Sequence, residues 1–415
     1  MEKAESGAKP RRILFFFPYN PYPPRSGAQV RCLKILLGLL ELNCEVFFLS
    51  LSNFSENTWN AESVEFLKKA GVKKIEIYRA TLVDSMMSAL IRRMYLCINQ
   101  LPPADSLKYT PFGMRTWFKK MQSHYNPDII WMNYSYYDPL ISCEGEKKPT
   151  RVIDYHDLIS LNLKLNHEVK KGFFGRPYTL QNSEFLREDF FDTHKCYTDE
   201  IELQVITRFD KIVAISEPEA ELLKKFNPEA DVTHIPVTSA PVHCSNSYAG
   251  PAIFTTGPNI FNLQGLFYFT DRVLPEILRS CPDFHLTVTG ACSDKIRPVN
   301  SVSLAGYVDE LKSHYCCARF AIGPVLGGTG QQIKIIEAMA HGLPVVVTSY
   351  SAKTSPIVHG VNGFIANNAE EFALYCSQLW LDSNLCQKMG DSARTTIATD
   401  YSEDLLLQKL SQVMN

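Results

Sequence analysis

ArgIleLeuPhePhePhe, running from Arg12 to Phe17, is a continuous apolar stretch of the kind shown by a strand buried on both faces of a parallel sheet. The ten residues that follow, Pro18 to Gly27, contain four prolines and a glycine, and beyond them Val30, Leu33, Leu36, Leu37 and Leu40 recur at helical spacing. Strand, loop and helix form the opening half of a βαβ unit, so an α/β fold with a parallel sheet is expected. Further strand-like runs begin at Glu45, Lys74, Asp128, Arg151 and Lys211, with helix-like stretches between them. Between Ile235 and Pro251 proline, serine, histidine and small residues replace this periodicity, as in a linker. The alternation then restarts at AlaIlePheThrThr from Ala252, with strand-like runs ending at Gly290 and Gly306 and another from Pro344. The expected organisation is an N-terminal domain over 1–240, a C-terminal domain over 251–400, and a final helix over 401–415 that returns to the first domain. A ligand of such sheets binds beyond the C-terminal ends of the strands.

Composition narrows the classes of function. A chain of 415 residues exceeds the usual size of a single core, and 45% hydrophobic with 21% charged residues is ordinary globular usage. The formal net charge of -2 lacks the basic excess of a nucleic-acid binder, so no nucleic-acid partner is expected. The 12 cysteines are scattered, with no CxxC spacing, which fits reduced thiols in a cytoplasmic protein better than a disulfide framework or a zinc site. The polar start, Met1 to Arg12, shows no signal-peptide stretch, and no run reaches the roughly 18 apolar residues of a membrane span. Glycosylation sequons at Asn53 and Asn133 read as accidental.

The strongest local signal for chemistry lies between Gly323 and Thr348. A strand ends near Pro324, glycines at Gly327, Gly328 and Gly330 let the backbone come close to a ligand, and a helix is expected from about Gln331. Free amides at that helix start, with its dipole, favour an anion such as a diphosphate. Lys334 adds a positive charge one turn in. Glu337, three residues further, shares its face and has a carboxylate suited to ribose hydroxyls. On an arbitrary helix the same two residues would form a surface ion pair. The loop matches neither GxxxxGK[ST] nor GxGxxG, which argues against nucleotide hydrolysis and dinucleotide binding.

GlyThrGly-x-x-x-Lys-x-x-GluAlaMetAla-x-Gly-x-ProValVal, from Gly328, resembles the donor-site signature of the glycosyltransferase group 1 family, also called glycosyltransferase family 4. PheThrThrGlyProAsn from Phe254, ValLeuProGluIle from Val273, LeuThrValThrGly from Leu286, AspLysIleValAlaIleSerGlu ending at Glu217, and SerGlyAlaGlnValArg from Ser26 extend the resemblance over most of the chain. It implies a GT-B fold, two facing Rossmann-like domains with an interdomain cleft, and transfer of a sugar from a nucleotide-diphosphate sugar with retention of configuration. It also implies that Glu337 holds the ribose, that Lys334 meets the diphosphate, and that Tyr307 and Val308 flank the base. Gly27, Gly257, Asn259, Gly328, Thr329, Gly330 and Gln331 complete the donor-binding set. Two departures stand out: Thr329 occupies the position of a glutamate common in the family, and Gly257 to Gly265 lacks the usual Arg and Lys. Lys334 then carries more of the diphosphate charge, helped by Arg25 or Arg31.

In the first domain AspTyrHisAspLeu, from Asp154, follows a strand, and His156 is the catalytic candidate together with Lys334 and Glu337. A histidine between two aspartates is equally a structural hydrogen-bonding unit. Arg31, Asp157 and Tyr136 are acceptor-side candidates, although Arg31 also reads as a solvated charge and the tyrosines at 134, 136 and 137 as a partly buried loop. Met86 to Leu96 reads either as a segment resting on a membrane or as a core helix with two exposed arginines. No Asp-x-Asp follows a strand, so no metal and no other cofactor is expected. The partners implied are a UDP- or GDP-linked sugar and a sugar, lipid-linked or small-molecule acceptor. A nucleotide-sugar 2-epimerase and a non-catalytic nucleotide-sugar-binding module are the alternatives.

Overall fold

The computed structural model describes residues 9–52, 58–98, 106–142, 148–193, 197–308 and 310–415, so most of the polar start lies outside the described residues. The chain forms two compact units, the first comprising 1–159, 198–235 and 406–415, the second 160–197 and 236–405.

The first unit is built on a seven-stranded sheet of β1 (Arg12–Phe16), β2 (Glu45–Leu51), β3 (Lys74–Tyr78), β4 (Ile129–Asn133), β5 (Thr150–Tyr155), β8 (Lys211–Ala214) and β9 (Val232–His234). The order is β3-β2-β1-β4-β5-β8-β9, and every pairing is parallel. Ile13 to Phe16 are wholly buried, as their unbroken apolar character requires. Helix Gly27–Glu41 follows, its N-terminus capped by Ser26, whose hydroxyl accepts from the Gln29 amide. The last helix, Glu403–Met414, inserts Leu406, Leu410, Val413 and Met414 into the core that holds Cys32, Leu36 and Leu39 of that first helix.

The second unit has six parallel strands: β10 (Ala252–Thr256), β11 (Leu286–Gly290), β12 (Val302–Gly306), β13 (Ala321–Gly323), β14 (Val345–Thr348) and β15 (Gly363–Ala366). Their order, β12-β11-β10-β13-β14-β15, is the doubly wound 3-2-1-4-5-6 pattern. Ligands of this topology bind where the order reverses, beyond the ends of β10 and β13 here and of β1 and β4 in the first unit.

The sequence reading runs the first domain unbroken to residue 240, whereas 160–197 belongs to the second unit. Phe173, Leu186 and Phe190 sit in the same core as Phe254, Leu263 and Leu266, the Gln264 side chain donates to the Phe185 carbonyl (2.7 Å), and β6 (Phe173–Phe174) pairs with β7 (Thr179–Leu180) as a short hairpin. Such long-range burial leaves no local periodicity to read. Residues 235–251 contain neither helix nor strand. The ten cysteines among the described residues are all free thiols. Of the two sequon residues, Asn53 lies outside the described residues, and Asn133 is wholly buried and therefore closed to glycosylation.

Candidate active site

The second unit brings its glycine turn to the reversal point of the sheet. After β13 the chain passes through Gly327, where a Cβ would lie 1.8 Å from the Phe191 ring, and Gly328, whose φ of +133° disfavours any side chain. The turn is tied down on three sides. The Tyr350 hydroxyl donates to the Gly328 carbonyl, Asn162 donates to the Thr329 hydroxyl (2.7 Å), and the Gln331 side-chain carbonyl accepts from the Val237 amide (2.7 Å). Thr329 and Gln331 thus help hold the loop in shape through their side chains.

The helix begins at Ile333, two residues later than expected, with no side-chain cap and no acidic residue in its first turn. The amides at the helix start are not all free as expected, since that of Gln332 donates to the Thr354 carbonyl (3.3 Å) and that of Ile333 to the Gln331 carbonyl (3.0 Å), but no side chain within the helix compensates its positive end. Lys334 and Glu337 form the ion pair that their spacing allows, Nζ to Oε2 3.0 Å, with both side chains partly exposed. The buried Tyr315 hydroxyl lies 3.5 Å from the same carboxylate oxygen. Asn259 caps helix Ile260–Tyr268 by accepting from the Asn262 amide (2.9 Å), and Asn262 in turn donates to the Gly257 carbonyl (3.4 Å). Both residues shape the end of β10. Tyr307 is 71% exposed just after β12, with an open ring face suited to stacking on a base, and Val308 follows it half-buried.

In the first unit, β5 ends in a buried polar network. Asp154 accepts from Arg31 at Nε (2.9 Å) and Nη2 (2.6 Å), and Arg31 Nη1 donates to the Ile235 carbonyl (2.7 Å). Burial alone would raise the Asp154 carboxyl; Arg31 and His156 outweigh it and hold it below the ordinary carboxylate range. Arg31 is consequently neither a solvated charge nor a group facing an acceptor or a diphosphate: it is 1% exposed with its fork filled. Tyr136 is also buried, packed against Tyr109 at 4.5 Å between centroids, which removes it from the surface where an acceptor sugar would stack. Asp157 is half-buried at the end of β5, and Gly27 opens helix Gly27–Glu41 beside its Ser26 cap.

His156 stands at the C-terminal end of β5, its Nε2 2.6 Å from Asn133 Oδ1 and 3.2 Å from Asp154 Oδ2. Asn133 donates from Nδ2 to the Phe16 carbonyl (2.6 Å), which turns its Oδ1 toward the imidazole, so His156 carries its proton on Nε2. Burial lowers the His156 pKa more than Asp154 raises it, and the ring is neutral at pH 7. Nδ1 is then a buried acceptor without a partner among the described residues. Tyr134 packs on the ring at 4.7 Å from the unusual φ of 70°. Asn133, Tyr134, Tyr315 and Asn162 escape sequence reasoning in these roles; only Tyr134 has a signal there, as part of an aromatic cluster.

Two histidines of this unit set an acid limit. His234 is pushed down to about 4 by burial and then by Lys409, and His156 is lowered as well. The unfolded chain binds protons at both near pH ~6.5, ahead of the folded chain, so stability is expected to fall as pH drops from ~6.5 toward ~4. Melting midpoints across that range test this, and a flat profile would contradict it.

Among the described residues no three His, Cys, Asp or Glu side chains converge as a metal site, and no helix is long and apolar enough to cross a membrane.

Residues 250–382 match the model of the family described as glycosyl transferases group 1. An uncharacterized 44.6 kDa protein of the cps region of Klebsiella pneumoniae is 28% identical over 182 residues, 40% of this chain and 46% of that protein. An uncharacterized glycosyltransferase of Haemophilus influenzae is 24% identical over 223 residues, 50% of this chain and 62% of that one. The matches thus span about half the length of these curated relatives. Among solved structures, a sucrose-phosphate synthase from Thermosynechococcus elongatus superposes with a TM-score of 0.64 at 14% identity, covering 97% of this chain and 98% of that one. HepE from Anabaena, in complex with UDP and glucose, gives 0.60 at 12% identity, covering 97% and 99%. These likenesses show the GT-B fold, built of two parallel-sheet α/β domains.

Proposed function

We propose, from the match of residues 250–382 to the group 1 glycosyltransferase model, that this chain transfers a sugar from a nucleotide-diphosphate sugar to an acceptor hydroxyl. One observation carries the proposal: a glycine turn at the reversal point of the second sheet leads into an uncapped helix that bears Lys334 and Glu337. A nucleotide diphosphate leaves as a polyanion, and the turn amides, the positive helix end and Lys334 supply positive charge where that charge develops. Without ligand, Lys334 and Glu337 neutralise each other. Binding exchanges this pair for two contacts, the ammonium to the diphosphate and the carboxylate to ribose hydroxyls. Tyr307 supplies a face for the base. The bound HepE ligands, UDP and glucose, make UDP-linked sugars the first donors to try, with GDP-linked sugars beside them.

The reaction proceeds with retention, the departing phosphate taking the acceptor proton on the face it leaves, and without a metal, since protein groups already meet the leaving charge. His156, neutral and with an unpartnered Nδ1, accepts a hydrogen bond from a sugar hydroxyl once substrate binding uncovers its buried ring. His156→Ala is therefore expected to lower turnover about 100-fold at a temperature well below its melting midpoint, with nucleotide diphosphate affinity unchanged. Activity loss that merely tracks a lowered midpoint would remove His156 from the chemistry.

Thr329 favours a second reading. Its hydroxyl is bonded to Asn162 at the position where the family resemblance implies a glutamate, as expected of a module that binds nucleotide sugars without turnover. Incubating the full chain with UDP- and GDP-sugars and mixed acceptors, with and without EDTA, followed by mass spectrometry and sugar analysis, separates the outcomes. Glycosylated acceptor with and without EDTA supports the proposal, a nucleotide sugar inverted at C2 indicates an epimerase, and binding without product indicates the module.

A further inference from the structure

In the first unit, helix Leu82–Cys97 is apolar on its outward side as well as on the side that packs on the protein. The side turned to the protein is held by polar contacts, with Met87, Ile91 and Tyr95 half-buried beside them: Asp84 accepts from the Tyr78 hydroxyl (2.5 Å), the Thr81 amide (3.0 Å) and hydroxyl (2.7 Å) and the Gly113 amide (3.2 Å), while Ser88 donates to the Lys108 carbonyl (3.1 Å). The outward side carries Leu82, Met86, Leu90 and Met94, four residues apart and therefore in one row about 18 Å long, with Val83 beside them. Met86 is 72% exposed and Leu90 70%. Ordinary surface helices confine their apolar residues to the stripe against the core and keep the outer face polar. The Gly113 bond to Asp84 brings the exposed Phe112, first residue of helix Phe112–Tyr125, to the start of the row. Eight of the eighteen large apolar residues exposed among the described ones lie between Leu82 and Phe112, so the patch is concentrated, not scattered.

The charge around the row selects what covers it. From Arg79 to Tyr125 the sequence holds seven Lys and Arg against two Asp; Asp84 is buried and Asp105 lies outside the described residues. Arg92 and Arg93 are exposed on the helix itself, and Arg79 stands just before it. The partner is therefore apolar in the middle and negative at the edge. A second copy meets the apolar row, but this stretch of it offers no exposed acidic residue among the described ones to Arg92 and Arg93. A convex helix is also no groove for a peptide. A lipid leaflet rich in anionic headgroups satisfies both demands, with the row sunk to the headgroup boundary and the arginines among phosphates. The helix has 16 residues, about 24 Å, which is shorter than a bilayer core, so it lies on the surface.

We infer that the exposed face of helix Leu82–Cys97, with Phe112, docks the protein on an anionic membrane surface. This inference does not rest on what the second unit transfers.

Co-sedimentation of the full chain with vesicles tests it. The protein is expected to partition onto phosphatidylcholine vesicles containing about 30% phosphatidylglycerol, not onto phosphatidylcholine alone, and less at high salt. Met86→Glu with Leu90→Glu should lower partitioning at least ~10-fold. Arg92→Gln with Arg93→Gln should lower it roughly 25-fold, about fivefold per charge. All four side chains are exposed, so unchanged melting midpoints are expected and certify folding. The inference is overturned if the wild-type chain ignores anionic vesicles, or if folded variants partition as it does. It is overturned equally if the wild-type chain is a dimer that Met86→Glu with Leu90→Glu dissociates while vesicle binding persists.

Discussion

Arg31→Ala is expected to destabilise the first unit by about 3–5 kcal/mol, a fall of roughly 10 °C in its melting transition. The guanidinium is 1% exposed, pairs with a wholly buried Asp154 through two nitrogens and satisfies the Ile235 carbonyl with a third. Truncation leaves a buried carboxylate with only His156 beside it, and an uncompensated charge in that setting is costly. Adding Asp154→Asn should return part of the loss, because the stranded charge disappears; the double variant then costs less than the two single changes together. Nucleotide diphosphate affinity of the folded fraction should be unaffected, since the groups proposed to bind it belong to the second unit. Thermal melting alongside nucleotide titration checks both halves, and a variant of wild-type stability would mean that the network contributes nothing.

Lys334→Ala should reduce both nucleotide diphosphate affinity and transfer by about 10- to 150-fold, corresponding to ~1.5–3 kcal/mol for one charge-assisted contact. Little stability should be lost, because the Lys334–Glu337 pair lies partly in solvent, where such pairs contribute at most about 1 kcal/mol. Glu337→Gln should weaken nucleotides that carry a ribose more than inorganic pyrophosphate, which distinguishes its role from that of Lys334. A folded Lys334→Ala protein with unaltered affinity would leave the ion pair as nothing more than surface charge.

Much of this was legible along the chain because it is local. The apolar run at Arg12, the restart at Ala252 and the glycine turn before Lys334 are each written in adjacent residues, and the strands appear within a residue or two of their expected positions. The parts that were not legible depend on partners far away in sequence. Arg31 reads as a surface charge on a helix, and only Asp154, 123 residues later, shows it to be buried. Thr329 finds Asn162 across 167 residues, and Glu337 finds Tyr315 across 22. Residues 160–197 join the second core through scattered aromatic side chains that carry no period of their own. The row from Leu82 to Met94 has clear helical spacing, but spacing alone does not say whether such a face is covered.

The central claim, that the turn at Gly328 and the helix start at Ile333 hold the diphosphate of a nucleotide sugar, is tested most directly by a crystal structure of the full chain with bound UDP. The account predicts phosphate oxygens within hydrogen-bond reach of backbone amides of the glycine turn before Gln332 and of Lys334 Nζ, with Glu337 turned from the lysine to the ribose. UDP bound elsewhere, or bound here with the 3.0 Å Lys334–Glu337 pair intact, would contradict it.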